Sequence, residues 1–229
     1  MNIFNAVNVV AIDGPAGSGK STVSRFVAER LGFMYIDTGA MYRALTLKIM
    51  RENIDFSDEE RIIEISEKLN LQLLPAEIGK NSIRVILEGE DVSEEIRKME
   101  VTGNVKYIAK ITLVRNNMVR FQQQMIKGIN GAVMEGRDIG TVVFPDAKYK
   151  FYLDASFVER VERRLAELKA KGHTITRKEV EDDLKQRDHA DKTRKVGPLK
   201  KADNAVFLDT TNLSIEDVTT KIVEMVKTR

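Results

Sequence analysis

The 229-residue sequence has no cysteine and only two histidines, His173 and His189. Without cysteine there are no disulfides, thiolate zinc sites or cysteine nucleophiles, and we expect a cytoplasmic protein. Two histidines are too few for a histidine-rich metal site. No apolar run approaches the length of about 18 residues that a membrane-spanning helix needs, so we expect no contact with a membrane. The first eight residues lack a basic region and a cleavage site, which predicts no signal peptide.

The sequence also lacks a strong excess of charge. Its 37 lysines and arginines nearly balance 35 aspartates and glutamates, and the net charge of +2 is too even for a protein that coats nucleic acid. Hydrophobic residues make up 42% and charged residues 31%, which suffices for both a sizeable core and a charged surface. The length predicts one domain with insertions.

Residues 7–31 organise the chain. Val7–Asp13 is a valine-rich apolar run, typical of a buried parallel strand. The apolar residues from Val23 to Leu31 recur at helical spacing. Between them the sequence GPAGSGKST matches G-x-x-x-x-G-K-[ST], the P-loop pattern. The predicted phosphate-binding residues are Gly14, Pro15, Ala16, Gly17, Ser18, Gly19, Lys20, Ser21 and Thr22.

The chemistry of phosphate binding explains this order. Glycines let backbone N–H groups turn inward toward phosphate oxygens, and the start of the following helix adds unpaired N–H groups and its positive dipole end. Lys20 is predicted to reach the β- and γ-phosphates, and the Ser21 hydroxyl to ligate Mg²⁺. A chance glycine-rich turn is the alternative. The buried strand before the loop and the helix after it favour a nucleoside triphosphate site.

Further apolar runs predict a parallel sheet. The pattern alternates between strands and helices, which is typical of an α/β fold with helices on both faces of the sheet. The other predicted strands are Phe33–Asp37, Ala132–Glu135, Tyr149–Leu153 and Ala205–Leu208. The predicted helices are Ala40–Met50, a helix opened by a capping box at 57–60 and running to about Leu69, a segment at 93–127 with a break near 110–112, and Ser214–Val226. Short strand-like pieces at 71–92 predict a small antiparallel sheet.

Charged residues follow several predicted strands directly. Asp37 follows the second strand, and Arg137 and Asp138 follow the third. In parallel sheets, ligands bind beyond the carboxyl ends of the strands, where the P-loop also lies. We therefore expect Asp37, Arg137 and Asp138 to share one substrate-binding cleft with the P-loop.

Two charged helices follow the fourth strand, each opened by a predicted capping box, at 156–159 and 176–179. Arg160 and Arg164 lie beside the apolar stripe of the first helix. On the second helix, Arg187, Asp191 and Arg194 continue the face that begins with Val180 and Leu184. Charges on an inward face need partners. A polar ligand in the cleft is one such partner, and a structural ion pair between Arg187 and Asp191 is the alternative.

Four motifs together resemble bacterial cytidylate kinases of the P-loop nucleoside monophosphate kinase family. They are GPAGSGKST, DTGAMYR, EGRDIGTVVFPDA and the spacing of Arg187, Asp191 and Arg194. The resemblance covers essentially the whole chain and includes the small sheet before EGEDVS. It implies a three-layer α/β fold with a five-stranded parallel core at about 1–38, 131–155 and 196–229. It further implies a CMP-binding insertion at about 39–130 and a helical lid at about 156–195.

The resemblance also implies an activity. The expected reaction transfers the γ-phosphoryl group of ATP to CMP or dCMP with Mg²⁺, in pyrimidine nucleotide metabolism, in a monomer without nucleic-acid partners. Carried over by motif, Arg43 and Arg137 hold the CMP phosphate, while Arg187 and Asp191 hold the sugar. Asp138, Arg115 and Arg194 read the cytosine. Lys20, Arg137, Arg160 and Arg164 supply positive charge to the transferring group.

One position departs from the family pattern. The family usually has a serine nine residues before the arginine that matches Arg115, and Lys106 stands there. Either the correspondence slips by a residue or two, or the acceptor pocket is altered.

Other functions share the P-loop. A GTPase needs an N/T-K-x-D motif, which the sequence KKAD at 200–203 matches only in part. An ATPase coupled to nucleic acid and a kinase of another small acceptor, such as shikimate, are further alternatives. The sequence leaves open whether Glu135, Asp154 or water completes the Mg²⁺ shell.

Overall fold

A computed structural model of the protein describes residues 8–75 and 83–228. Residue 7, at the predicted start of the first strand, lies outside them. The strands are β1 (Asn8–Asp13), β2 (Met34–Asp37), β3 (Leu71–Leu74), β4 (Arg84–Leu87), β5 (Glu90–Asp91), β6 (Gly131–Gly136), β7 (Tyr149–Asp154) and β8 (Val206–Asp209). The helices are α1 (Lys20–Leu31), α2 (Thr38–Arg51), α3 (Glu59–Glu67), α4 (Met99–Ala109), α5 (Thr112–Met125), α6 (Phe157–Ala170), α7 (Arg177–Thr193) and α8 (Ile215–Lys227).

The central sheet has five parallel strands in the order β2-β6-β1-β7-β8. Its register aligns the strand ends, because Asp13 pairs with Gly136 and Asp37 pairs with Glu135. At the other side of β1, Asp13 lies opposite Tyr152 of β7. The carboxyl ends therefore meet at one edge, with the P-loop between β1 and α1, and the predicted five-stranded parallel core is confirmed.

The core lies on both faces of this sheet. Along β1, Val9 and Ala11 pack into a cluster with α2, α4 and α5, whereas Val10 and Ile12 pack into a second cluster with α1 and α8. The alternation follows from the two-residue period of a strand. Both faces of β1 are covered, which explains why its sequence is continuously apolar.

The predicted small antiparallel sheet is also confirmed. Its strands have the order β3-β4-β5, and Leu71 pairs with Leu87. The buried side chains of β3 and β4 join the same cluster as α2. This sheet and the helices α2, α3, α4 and α5 lie between β2 and β6 in the chain, in a segment that we call the insertion.

The helix starts agree only partly with the predicted capping boxes. The box at 57–60 is wrong, because Asp58 caps α3 by accepting from the Arg61 N–H. The Ser57 hydroxyl and N–H both donate to Asp55 instead. At 176–179 the predicted box is complete. At 156–159 half of it forms, because Ser156 accepts from the Glu159 N–H while the Glu159 carboxylate pairs with Arg163.

The helices α6 and α7 form a hairpin, which we call the lid hairpin (157–193). Val161 and Leu168 of α6 pack against Val180 and Leu184 of α7 in a small cluster of their own. The side chain of Ala16, at the tip of the P-loop, belongs to this cluster. Within the described residues, no helix combines the length and the apolar character that crossing a membrane requires.

Candidate active site

A cavity of about 1170 Å³ opens at the carboxyl edge of the parallel sheet. Its walls come from the P-loop, the start of α2, the helix α4, the end of β6, the lid hairpin and the loop after β8. Pockets for a single small molecule commonly measure roughly 300–1,000 Å³, so this cavity lies slightly above that range. The predicted residues that line it are Ala16–Thr22, Asp37, Arg43, Arg115, Arg137, Asp138, Arg164, Arg187, Asp191 and Arg194.

The P-loop has the backbone geometry that its glycines allow. Gly17 and Gly19 have φ angles of 78° and 85°, in the left-handed region. A side chain at Gly14 would overlap the carbonyl of Leu153, so the loop packs directly against β7. The helix α1 begins at Lys20, so its unpaired N–H groups face the loop.

Lys20 is 5% exposed and lies inside the P-loop. Its Nζ donates to the carbonyl of Pro15 over 2.6 Å. Burial lowers the pKa of Lys20 to about 7, with a further contribution from the nearby charge of Arg137, while Glu135 acts in the opposite direction. An anion bound in the loop favours the charged form of this amine.

Ser21 lies beside a buried carboxylate. Its hydroxyl donates to Glu135 Oε2 over 2.9 Å, and the Tyr35 hydroxyl donates to the other oxygen of the same carboxylate. Burial and the charge of Asp37 raise the pKa of Glu135. A hydroxyl and carboxylate oxygens are hard donors of the type that Mg²⁺ takes, and Mg²⁺ usually completes its shell with water and substrate phosphates. The residues present therefore fit this ion, although the described residues contain no cluster of three acidic, histidine or cysteine ligands.

Arg43 projects from α2 toward the end of β2. Its Nη2 donates to Asp37 Oδ2 over 2.7 Å, and Asp37 also caps α2 by accepting from the Ala40 N–H. Burial disfavours the charged form of Asp37, but Arg43 and Arg97 outweigh burial and lower its pKa. Arg97 lines the same wall of the cavity. Arg97 was not predicted from the sequence, because it lies in a short turn at Glu95–Arg97 within a segment predicted to be an ordinary helix.

Arg137 joins the core to the lid hairpin. Its Nε donates to Asp191 Oδ2 over 2.6 Å, and the other oxygen of Asp191 accepts from Arg194 over 3.2 Å. Burial opposes ionisation of Asp191, but these two arginines together lower its pKa. Arg187 pairs over 3.6 Å with Asp183 of its own helix. The ion pairs of Asp191 are therefore with Arg137 and Arg194, and the predicted alternative, an ion pair between Arg187 and Asp191, is wrong.

Asp138 is buried between two cations. Arg115 of α5 donates to its Oδ2, and Arg194 Nη2 lies 3.7 Å from Oδ1. The Arg115 guanidinium also lies 5.5 Å from the centre of the Tyr42 ring. The chain passes close over the carboxylate at Gly197, where φ is 58° and a side chain would overlap Asp138. The three residues predicted to read the base therefore lie together.

A buried acid holds the turn that presents Arg137 and Asp138. Asp13, at the end of β1, accepts from the N–H groups of Ile139 and Gly140 over 2.8 Å each. Burial raises the pKa of Asp13 to about 6, against the effect of these two hydrogen bonds. The sequence placed Asp13 in a strand and gave no sign of this contact, which depends on the pairing of β1 with β6.

The lid arginines have different surroundings. Arg164 lines the cavity and pairs with Glu167 over 2.8 Å. Arg163, which was not predicted as a site residue, also lines it and donates to the carbonyl of Thr210 over 2.6 Å. Arg160 is buried against the P-loop and Asp188. A contact of Arg160 or Arg164 with the transferring phosphoryl group stays a prediction.

Lys106 also lines the cavity. It lies on α4, and its Nζ donates to Gln186 Oε1 of α7 over 3.1 Å. Its amine therefore bridges the insertion and the lid hairpin.

The fold and the site define a kinase of the P-loop class. A parallel sheet carries the P-loop at its carboxyl edge, and an insertion and a lid hairpin complete one cavity with it. A solved structure of an uncharacterized protein from Eubacterium ventriosum is similar, with a TM-score of 0.51 and 11% identity, over 96% of this chain and 99% of that chain. At this identity the likeness concerns the fold alone.

Sequence comparisons are more specific. A family model for cytidylate kinase matches residues 10–228. The cytidylate kinase of Caldanaerobacter subterraneus subsp. tengcongensis is 48% identical over 225 residues, which cover 98% of this chain and 97% of the relative. A cytidylate kinase of Bacillus cereus is 48% identical over 217 residues, with 95% of each chain covered. The chain belongs to the cytidylate kinase family, and the predicted resemblance is confirmed.

Proposed function

We propose that this protein transfers the γ-phosphoryl group of ATP to CMP or dCMP, giving ADP and CDP or dCDP. One observation carries the proposal. The P-loop shares a single cavity with Asp138, a buried carboxylate flanked by Arg115 and Arg194. The P-loop suits a nucleoside triphosphate. The carboxylate with its two arginines suits a base that offers both a hydrogen-bond donor and acceptors. The protein acts as a monomer in the cytoplasm, in pyrimidine nucleotide metabolism.

The donor nucleotide occupies the P-loop. Residues 14–22 surround its phosphates with backbone N–H groups, and Lys20 places its amine on the β- and γ-phosphates. Ser21 would be the protein ligand of Mg²⁺, and Glu135, which accepts a hydrogen bond from Ser21, would bind the waters of that ion. When bound, Mg²⁺ neutralises part of the phosphate charge.

The acceptor nucleotide occupies the wall between α2, α4 and α7. Arg43 and Arg137 bind its phosphate, and Arg97, on the same wall, adds a third positive charge. Without this compensation, the phosphates of the two nucleotides would repel each other. Asp37 orients Arg43 through their hydrogen bond. Arg187 and Asp191 bind the sugar hydroxyls.

The base lies against Asp138. Cytosine presents an amino group at N4 beside the acceptors N3 and O2, so a carboxylate accepts from N4. Arg115 and Arg194 donate to the remaining acceptors of the base. Both cations also contact the Asp138 carboxylate and fix its position in the cavity.

The reaction is a direct transfer. A phosphate oxygen of the acceptor attacks the γ-phosphorus, the bond from that phosphorus to the bridging oxygen breaks, and ADP leaves with the electron pair. The chain provides alignment and positive charge from Lys20, Arg137, Arg164 and, as the resemblance implies, Arg160. The lid hairpin excludes water, which otherwise accepts the phosphoryl group.

An assay of ADP release with a panel of acceptors tests the proposal. Purified protein receives ATP and Mg²⁺ with CMP, dCMP, UMP, AMP or shikimate, and a sample without acceptor gives the background hydrolysis. We expect turnover with CMP and dCMP well above that with the other acceptors. Equal turnover with all acceptors, or turnover only with shikimate, contradicts the assignment.

A further inference from the structure

A buried ion pair joins the lid hairpin to the P-loop. Arg160 of α6 donates through Nη2 to Asp188 Oδ2 of α7 over 2.7 Å, and through Nη1 to the carbonyl of Ala16 over 3.1 Å. Arg160 is 6% exposed and Asp188 is 9% exposed. One guanidinium therefore contacts both helices of the lid hairpin and the tip of the P-loop.

Two further contacts fix the tip of the P-loop against α6. The Ala16 side chain packs into the apolar cluster of the lid hairpin. At Gly17, a Cβ atom would lie 3.0 Å from the Arg160 Cβ and from the Arg160 carbonyl oxygen. The loop therefore packs on the backbone of α6 at the turn that carries Arg160.

The peptide between Ala16 and Gly17 has a defined orientation as a result. In a planar trans peptide, the C=O and N–H groups point in opposite directions. Because the Ala16 carbonyl points to the Arg160 guanidinium, the Gly17 N–H points away from it. Gly17 lines the cavity, so the orientation of this N–H determines how the loop meets a phosphate.

We propose that Asp188 is a positioning residue for the nucleoside triphosphate, because it holds Arg160 on the Ala16 carbonyl and thereby orients the tip of the P-loop. The inference rests on the proposed function and extends it, since Asp188 itself is not among the residues that line the cavity. It links the shape of the donor site to the position of α7, the helix that carries Arg187 and Asp191 of the acceptor site.

The ion pair between Arg160 and Asp188 leaves some of its polar atoms without hydrogen bonds, which is unfavourable for a purely stabilising role. Asp188 Oδ1 and Arg160 Nε are buried and have no hydrogen-bond partner among the described residues. Arg160 Nε lies 3.8 Å from Asp154, which is too long for a hydrogen bond. Replacing a buried pair of this kind with apolar residues is often neutral or stabilising. A positioning role explains why polar groups occupy this place.

Three variants test the proposal: Asp188→Asn, the apolar double variant Arg160→Met/Asp188→Leu, and Leu168→Ala as a packing control. Leu168 belongs to the cluster of the lid hairpin but lies eight residues beyond Arg160 on α6, about 12 Å along its axis. The measurements are the Kd of ADP by titration calorimetry, the KM values of ATP and CMP, and the thermal unfolding midpoint.

We expect Asp188→Asn and the double variant to raise the Kd of ADP and the KM of ATP roughly tenfold, as loss of a charge-assisted hydrogen bond predicts. The KM of CMP should rise less than the KM of ATP, since Asp188 does not line the cavity and its hydrogen bond goes to Arg160, which contacts the P-loop. The Leu168→Ala variant should unfold at a lower temperature and bind ADP like the wild type. The double variant keeps the test decisive if Asp188→Asn folds poorly.

A purely structural pair gives a different result. In that case the double variant binds ADP, which lacks the γ-phosphoryl group assigned to Arg160, like the wild type, and the proposal is overturned. Equal rises in the KM of ATP and CMP also overturn it. If the wild-type protein does not phosphorylate CMP, the proposed function fails, whereas the comparison of ADP binding still decides the role of Asp188.

Discussion

Arg137 at the end of β6 and Asp191 on α7 form a hydrogen-bonded ion pair of 2.6 Å, although 54 residues separate them in the chain. The pair joins the core of the protein to its lid hairpin. Asp191 shares its carboxylate between Arg137 and Arg194, so one side chain organises two cations that line the cavity.

The first prediction concerns this shared carboxylate. Asp191→Ala removes a predicted sugar ligand and leaves Arg137 and Arg194 without their common partner. We expect the KM of CMP to rise at least tenfold and kcat to fall, because the acceptor is held less well. Steady-state kinetics with varied CMP provides the measurement.

Asp183→Ala is a matched control, since it removes the exposed partner of Arg187 from the same helix and should change the KM of CMP by less than about threefold. A variant with lower thermal stability and unchanged kinetics would show a structural role alone.

The second prediction concerns Lys20. Lys20→Ala removes a buried amine from the P-loop, where positive charge stabilises the developing charge of phosphoryl transfer. We expect kcat to fall at least a hundredfold, while the circular dichroism spectrum is unchanged. Lys150→Ala removes another buried lysine, whose amine contacts Pro145 and Asn204 rather than the P-loop, and serves as the control for loss of a buried cation. A near wild-type kcat in Lys20→Ala would refute the assignment.

The third prediction is a pH dependence of stability caused by Asp13. Burial raises its pKa from 3.8 to about 6, so the folded protein binds the proton more tightly than the unfolded chain. The contribution of Asp13 to stability therefore falls as the pH rises from about 4 to 6, and its cost, on the order of 3 kcal/mol, persists above that range.

Asp13→Asn cannot ionise and should lack this component. The asparagine retains one oxygen for the N–H groups of Ile139 and Gly140, so the variant is less stable at pH 4 than the wild type. Calorimetric unfolding of both proteins between pH 4 and 7 gives the comparison. The difference in unfolding free energy between them should shrink as the pH rises. A difference that is constant over this range would contradict the raised pKa of Asp13.

Whether a site residue can be predicted from the sequence depends on how far apart in the chain its interacting partners lie. The P-loop and the pair Arg137 and Asp138 were predictable, because a local pattern or the end of a strand places them. Arg97, Asp13 and Asp188 were not, since each acts through a contact between elements far apart in the chain. The cap of α3 shows the same limit locally, because Asp55 competes for Ser57 and shifts the cap by one residue.

The fourth prediction concerns Lys106, the departure from the family pattern. Lys106→Ser removes the hydrogen bond to Gln186 that links α4 to α7. Both side chains are exposed, so we expect a rise of only about two- to fivefold in the KM of CMP, together with faster hydrogen exchange in α7. Lys110→Ser, one turn further along and also lining the cavity, is the matched control and should leave exchange in α7 unchanged. Unaltered exchange in Lys106→Ser would argue against the bridge.

The last prediction concerns the selection of the base by Asp138. A carboxylate accepts from the cytosine N4 amine, whereas uracil presents an oxygen at that edge and leaves two acceptors facing each other. Sites that depend on such buried hydrogen bonds discriminate by up to about 10⁴–10⁵. The competing interpretation is that Asp138 only orients its neighbour Arg137. The structure gives the Asp138 carboxylate a hydrogen bond from Arg115 and an ion pair with Arg194, both predicted readers of the base.

Asp138→Ala separates these interpretations through kcat/KM measured with CMP and with UMP. If Asp138 reads the base, the ratio of the two values collapses, mostly through loss of activity on CMP. If it only supports Arg137, which binds the phosphate common to both substrates, both values fall together and the ratio stays constant. Arg43→Ala provides the matched reference for the second outcome, because Arg43 is assigned to the acceptor phosphate and should weaken both substrates equally. A constant ratio in Asp138→Ala, like that in Arg43→Ala, would remove Asp138 from the recognition of cytosine.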